Sequence, residues 1–309
     1  MSRKWPERVH LCECWARDGL QNQADFLPTE KKIRMLELLG ETGFGKIEIT
    51  SFSHPKVVPQ FSDAETVLKE TKRKPGVIYK ATCVNKKALE RAIQAKNEGY
   101  GPEQVSFVIA ASEAYNRINV NMDQEQLLAQ LDEMIRMAAE HEIDCLVSVS
   151  TAFGYPQPGD VPPERIVELV ARFRDRNVKT ITIGDTTGMA NPDTSYRLFD
   201  LLLRNFPDVT FIAHFHDTKG WGIANAAAAL EAGITHFDTS LGGIGGPPST
   251  RDRSLGHTGN VCTEDFVFLL EDMGIRTGID RDRLIEAGKL SEQWLGRQRS
   301  QILRLYDEA

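Results

Sequence analysis

Eight times along its length this chain runs a short β-rich segment into a helical one, and no other feature constrains its fold as tightly. The β-rich segments fall at about 8–13, 46–50, 77–83, 104–110, 144–150, 179–184, 209–215 and 235–240, each bounded by turn residues or charge. Between them apolar residues recur at helical spacing. Ile33, Leu36, Leu38 and Leu39 do so within 31–42, and Leu127, Leu128, Leu131, Met134 and Ile135 within 124–139. Pro28-Thr29, Pro162-Pro163 and Pro192-Asp193 mark helix entries, where the N–H that proline lacks would have no helical partner. Strand–helix repeats of this kind make a parallel sheet covered by its crossover helices. No G-x-G-x-x-G follows the first strand, as a dinucleotide-binding open sheet would require. Eight units is the number that closes a barrel. The chain reads as α/β: one (β/α)8 TIM-barrel domain over 1–309, with the barrel at about 8–262 and a C-terminal helical extension at about 263–309.

Composition enters only to exclude. Lysine and arginine number 37 against 44 acidic residues, a net charge of -7 that argues against a nucleic-acid partner. No apolar run approaches the ~18 residues of a membrane span, and the basic N-terminus lacks the apolar core of a secretory signal. Cys12, Cys14, Cys83, Cys145 and Cys262 are an odd, scattered set without C-x-x-C spacing, which fits reduced thiols in a cytoplasm.

In such a barrel the chemistry sits where the strands end. Strand one is followed by Arg17-Asp18-Gly19 and Gln21-Asn22, and strand two carries Glu48. Strand five ends at Ser150, strand six at Asp185-Thr186, and strand seven holds His214 and His216. Residues i and i+2 of a strand face the same way, so both imidazoles point inward while Ala213 and Phe215 face the helices. Two imidazoles need an oxygen ligand to hold a divalent ion. Asp18 supplies a carboxylate, and Asn260 has a carbonyl oxygen to add. The mixed nitrogen and oxygen set suits Mg²⁺, Mn²⁺ or Zn²⁺ alike. Glu48, flanked by Ile47 and Ile49 in a sheet covered on both faces, is expected to point into the barrel and pair with Arg17. His10, His54, His141 and His236 read as structural, and Trp5, Trp15, Trp221 and Trp294 as packing.

With these residues set out, the chain resembles the hydroxymethylglutaryl-CoA lyase family of metal-dependent lyase and synthase barrels. The similar pieces are Arg17-Asp-Gly-Leu-Gln-Asn22, Ile47-Glu-Ile-Thr-Ser-Phe52, Pro55-Lys56, Val58-Pro-Gln60 and Ala111-Ser-Glu113. Asn119, Asn121, Gly184-Asp-Thr186, His214-Phe-His-Asp-Thr218 and Gly256 to Thr263 complete them. The related synthases usually read Asn-Asp after the His-x-His stretch and carry further C-terminal domains, so the lyase branch fits better. The resemblance implies retro-Claisen or retro-aldol cleavage of a 3-hydroxy-3-carboxyalkyl-CoA thioester to an acyl-CoA and an oxo acid. It implies Asp18, His214, His216 and Asn260 as metal ligands and Arg17 as the group that holds the enolate. Glu48 and Asp185 are then carboxylates of the mouth, and a homodimer or higher homo-oligomer is expected. Gln21, Ser150 and Thr186 are expected to touch substrate. Condensation of a 2-oxo acid with an acyl-CoA, or metal binding without catalysis, are the alternatives.

One departure stands out. The lyases carry Gly-Gly-Cys-Pro after strand eight, where this chain reads Gly245-Gly246-Pro247-Pro248. None of the five cysteines stands in that place. The loop that follows contains Arg251 and Arg253, placed to meet a carboxylate or CoA phosphate, and His257, which titrates near neutrality and is expected to replace the thiol as proton donor.

Overall fold

The computed structural model describes residues 5–155, 161–246, 258–296 and 298–306. Eight parallel strands close in sequence order into a barrel. They are β1 (His10–Glu13), β2 (Lys46–Ser51), β3 (Ile78–Thr82), β4 (Gln104–Ala110), β5 (Asp144–Ser150), β6 (Thr180–Asp185), β7 (Thr210–Phe215) and β8 (His236–Thr239). Each lies within two residues of its expected bounds. β8 returns to β1, with His10 opposite His236 and Cys12 opposite Asp238. Around the barrel run α1 (Thr29–Glu41), α2 (Ala64–Glu70), α3 (Lys86–Asn97), α4 (Glu113–Val120), α5 (Gln124–Glu140), α6 (Pro163–Arg174), α7 (Pro192–Asn205) and α8 (Gly222–Ala232). The chain continues through α9 (Thr263–Asp272), α10 (Arg281–Leu295) and α11 (Gln301–Leu305). The TIM barrel expected from the strand–helix alternation is the fold observed.

Local chemistry starts and stops these helices. Asp123 and Gln126 form a reciprocal capping box at the start of α5, and Asn191 with Thr194 does the same for α7, where proline takes the first turn. Gly233 ends α8 with φ of 113°, a conformation that an L side chain rarely adopts. Outside the barrel the packing is apolar: Phe215 of β7 meets Phe199 of α7 at 6.1 Å and Phe153 at 5.7 Å. The C-terminal helices close the wall beside β1, where Trp15 donates its Nε1–H to Ser291 of α10 at 2.6 Å. Trp221 corrects the packing expectation, being 45% exposed with Lys219 lying 5.2 Å over its ring. Among the described residues no helix is long and apolar enough to cross a membrane.

The barrel interior is charged, where branched apolar layers are the usual filling. Glu48, Lys80 and Asp238 are all buried there. The Lys80 Nζ lies 3.8 Å from Glu48 and 3.9 Å from Asp238, so the ammonium compensates two carboxylates. Buried charge survives only when matched in this way.

Candidate active site

A five-residue π turn, Trp15–Gly19, follows β1 directly and swings Arg17 and Asp18 over the C-terminal mouth. Such wide turns often mark functional sites. Two strands away, past β8, β7 presents His214 and His216 to the same mouth. Their Nε2 atoms are 3.0 Å apart, and Asp18 Oδ2 lies 3.6 Å from His216 Nε2 and 4.0 Å from His214 Nε2. Each ring is oriented from behind: His214 Nδ1 faces Asp238 Oδ2 at 3.2 Å, and His216 Nδ1 faces the Thr186 carbonyl at 2.9 Å. A carbonyl only accepts, so His216 carries its proton on Nδ1, and the carboxylate draws the His214 proton to the same position. The two Nε2 lone pairs then point at each other beside a carboxylate oxygen. That arrangement asks for a cation. Donors around a divalent ion bound at 2.0–2.1 Å stand about 3 Å apart, so the residues present fit one.

Asn260 reaches this place because its backbone bridges His216. Its amide nitrogen donates to Asp18 Oδ2 at 2.6 Å and to the Ile244 carbonyl at 2.9 Å. In this arrangement Asn260 aims Asp18, and its own oxygen joins the donors only after the amide turns over. Burial alone would raise the Asp18 pKa, but Arg17 and the two imidazoles hold its carboxyl well below the usual range. Burial works against a charged His214 too, yet Asp238 and Asp18 raise its pKa.

Arg17 Nε sits 2.9 Å from Glu48 Oε1, off the N–H axis and so an ion pair without a linear hydrogen bond. Arg17 Nη1 donates to Asp18 Oδ1 at 2.9 Å. Glu48 also accepts from Thr82 at 2.6 Å. The expected pairing of Arg17 with Glu48 is therefore present, and one guanidinium spans two carboxylates at the rim of the donor set.

The remaining expected residues divide. Gln21 donates to Asp18 Oδ1 and to the Gly246 carbonyl, both at 2.6 Å, which ties the first loop to the last. Thr186 contributes its carbonyl to His216, while its hydroxyl accepts from the Thr151 N–H at 2.9 Å. Ser150 is half-buried and bonds the Ile109 carbonyl at 3.3 Å. Asp185 is buried and accepts from the backbone of Met189 and Ala190, so it shapes its own loop. Arg251, Arg253 and His257 lie outside the described residues, as do Pro247 and Pro248. Sequence reasoning missed Asp238 and Lys80. Register held the signal, since Asp238 pairs with His214 across β7–β8 and Lys80 with Glu48 across β2–β3.

The loop after β8 closes against Asp18. Gly245 has φ of 112°, and a Cβ there would meet the Asn260 amide nitrogen at 2.4 Å and the Asp18 carbonyl at 2.7 Å. Gly245→Ala is expected to lower turnover at least about tenfold while the thermal melting point stays within a few degrees, because the loop and not the core is displaced. Steady-state kinetics beside a melting curve checks this.

Two buried carboxyls anchor the root of that loop. Glu264 accepts from the Gly242 N–H, and Glu13 from the N–H groups of Trp15 and Leu241 and the Thr263 hydroxyl. Burial pushes Glu13 up to about 8 and Glu264 up to about 7. A carboxyl with a raised folded pKa contributes stability below its unfolded value and loses it as pH climbs to the folded one. For Glu264 that window runs from 4.5 to about 7, and the loss is roughly 3 kcal/mol. Glu264→Gln should remove this share of the pH dependence. Urea unfolding of both proteins at pH 5 and pH 8 measures it, and equal pH dependence in the two would contradict the assignment.

A closed eight-stranded parallel barrel whose C-terminal mouth gathers Asp18, His214 and His216 beside Arg17 defines a barrel enzyme with a candidate divalent-cation site. The sequence model of the HMGL-like family matches residues 8–290, and the chain belongs to that family. It is 37% identical over 293 residues to the hydroxymethylglutaryl-CoA lyase YngG of Bacillus subtilis, covering 95% of each chain. It is 35% identical over 295 residues to the mitochondrial hydroxymethylglutaryl-CoA lyase of Homo sapiens, covering 96% of this chain and 88% of that one. Among solved structures, the Bacillus subtilis HMG-CoA lyase superposes with a TM-score of 0.91 at 36% identity, covering 98% of this chain and 99% of that one. An HMG-CoA lyase from Acinetobacter baumannii, in complex with coenzyme A and 3-methylmalate, gives 0.89 at 33%, covering 96% and 95%. The chain is thus a carbon–carbon lyase by family.

Proposed function

We propose that this chain cleaves a 3-hydroxy-3-carboxyalkyl-CoA thioester of the hydroxymethylglutaryl-CoA kind to an acyl-CoA and a 2- or 3-oxo acid. The observation that carries the reading is the pair of back-oriented imidazoles facing Asp18, with Arg17 2.9 Å away on the same carboxylate. The coenzyme A in the Acinetobacter baumannii structure supports a thioester substrate.

Asp18, His214 and His216 would hold the ion, Mg²⁺ or Mn²⁺ in this reading. When bound, it lowers the pKa of the substrate's 3-hydroxyl and orients it. As the hydroxyl proton leaves to solvent water at the open mouth, the O–H electron pair becomes the new carbonyl and the C2–C3 pair becomes the thioester enolate. Arg17 holds the enolate oxygen through its guanidinium, and Glu48 fixes that guanidinium from beneath. Asp238 and the Thr186 carbonyl keep both imidazoles turned toward the mouth. A proton then goes to C2. His257, beyond the described residues, is the proposed donor in place of the cysteine that the lyases carry.

The test is a panel of 3-hydroxyacyl-CoA thioesters incubated with purified chain and Mg²⁺ or Mn²⁺, with products separated by chromatography. Release of an acyl-CoA and an oxo acid in equal amounts is expected from at least one member. Turnover of none, or only in the condensing direction, would overturn the reading.

A further inference from the structure

The opposite, N-terminal mouth of the barrel holds a second feature that the lyase reading does not use. A cavity of about 240 Å³ opens there between the strand starts. Arg8, His10, Lys46 and His236 line it, and among the described residues no aspartate or glutamate does. The His10 and His236 rings stack at 4.7 Å with an 18° interplanar angle, held by the β1–β8 register. Lys46 donates to Gln104 Oε1 at 2.8 Å and has no carboxylate within ion-pair distance among the described residues. Gln104 in turn donates to the Asp144 carboxylate behind it at 2.5 Å, and that charge acts on Lys46 from outside the lining. On the rim Glu7 is paired with Arg276 at 2.9 Å, so it too is turned to another partner.

Four basic groups therefore share a concave, partly desolvated space whose own lining carries no carboxylate among the described residues. Burial and Arg8 hold His10 below the usual histidine value, and burial, His10 and Lys46 push His236 down to about 4. Burial likewise lowers Lys46, with Lys80 adding to it from deeper in the barrel. Cys12, also in the wall, with Asp238 and Asp144 beyond it, acts the other way on Lys46. We infer that this pit binds a small doubly charged oxyanion, with the Lys46 ammonium and the Arg8 guanidinium as its charged ligands and the stacked imidazoles as its wall. An anion there relieves the repulsion that the four basic groups impose on one another, so its binding draws protons onto His10 and His236. Because it binds the folded barrel alone, it also stabilises the fold by mass action. This site stands independently of the proposed lyase activity.

Sulfate is the probe, since it stays doubly charged across the neutral range and any pH dependence then belongs to the protein. Calorimetric titration of the full chain should show one sulfate, bound at least about tenfold more tightly at pH 6 than at pH 8. The enthalpy should vary with the ionisation heat of the buffer, the mark of proton uptake. Lys46→Met and Arg8→Met should each weaken binding at least about tenfold. His236→Asn should reduce the pH dependence to the part that His10 carries. Arg8 sits on the rim, so Arg8→Met keeps the fold where Lys46→Met disturbs it, and circular dichroism checks both. A parallel titration with phosphate and with succinate distinguishes a phosphate-type ligand from a dicarboxylate. No sulfate binding at millimolar concentrations, or binding equal in all variants and at both pH values, overturns the inference.

Discussion

Asp18→Asn should abolish turnover, by at least about a thousandfold, and weaken divalent-ion binding at least about a hundredfold. The reason is the number of roles that one carboxylate fills. Its Oδ1 accepts from Arg17 and Gln21, and its Oδ2 from Asn260 and, at 3.4 Å, from the Gly246 N–H. Among the described residues it is also the only acid grouped with the two imidazoles in the candidate cation cluster. An asparagine brings a second set of N–H donors against groups that already donate, and removes the negative charge that offsets a bound cation. The pH dependence has a definite sign. Burial opposes a charged His214, but Asp238 and Asp18 outweigh it, so without an ion the ring keeps its second proton to a pH above the usual histidine value. Ion binding displaces that proton, so affinity falls as pH drops through this range and recovers above it. Equilibrium dialysis with Mn²⁺ at two pH values, on wild type and Asp18→Asn, checks both statements. An asparagine variant that binds Mn²⁺ as well as wild type would contradict them.

Arg17→Met is expected to cost nearly as much, in two separable ways. Loss of a cation at the developing enolate lowers kcat by about 10²–10³. It also strands Glu48, whose side chain is wholly buried and whose Oε2 has no hydrogen-bond partner. Lys80 at 3.8 Å then remains its nearest compensation. Removing one member of a buried pair typically costs 3–5 kcal/mol, a figure to be lowered here because Arg17 keeps some solvent contact. A second variant separates the effects. Arg17→Met with Glu48→Gln should recover most of the lost stability in urea unfolding while turnover stays down. Recovery of turnover along with stability would show that Arg17 serves the fold and not the enolate.

Much of this architecture could be read in advance, for physical reasons. Strand–helix alternation leaves few ways to cover a parallel sheet, and the strands fell within two residues of expectation because each is bracketed by turn chemistry. The inward pointing of His214 and His216 follows from the two-residue period of β7, and Phe215 packs on α7 as that period demands. Glu48 was legible because an acid between two isoleucines in a sheet covered on both faces has nowhere to go but a charged partner. Asp238 and Lys80 were not, since β8 (His-Phe-Asp-Thr) and β3 (Ile-Tyr-Lys-Ala-Thr) each carry polar residues besides these, and which face is inward is not fixed until the neighbouring register is known. Asp185 shows the converse. A strand-end position marks a candidate, but the amides four and five residues on can claim the carboxylate first, and that competition is set by the turn. Asn260 lies far along the chain from His216 in sequence terms only; a backbone bridge brings them together.

The measurement that bears most directly on the central claim is pulsed electron paramagnetic resonance of the Mn²⁺-loaded chain. Two imidazole nitrogens should modulate the manganese signal, one disappearing in His214→Ala and the other in His216→Ala. A manganese signal without nitrogen coupling, or one that both single variants leave unchanged, would place the ion elsewhere and contradict the account.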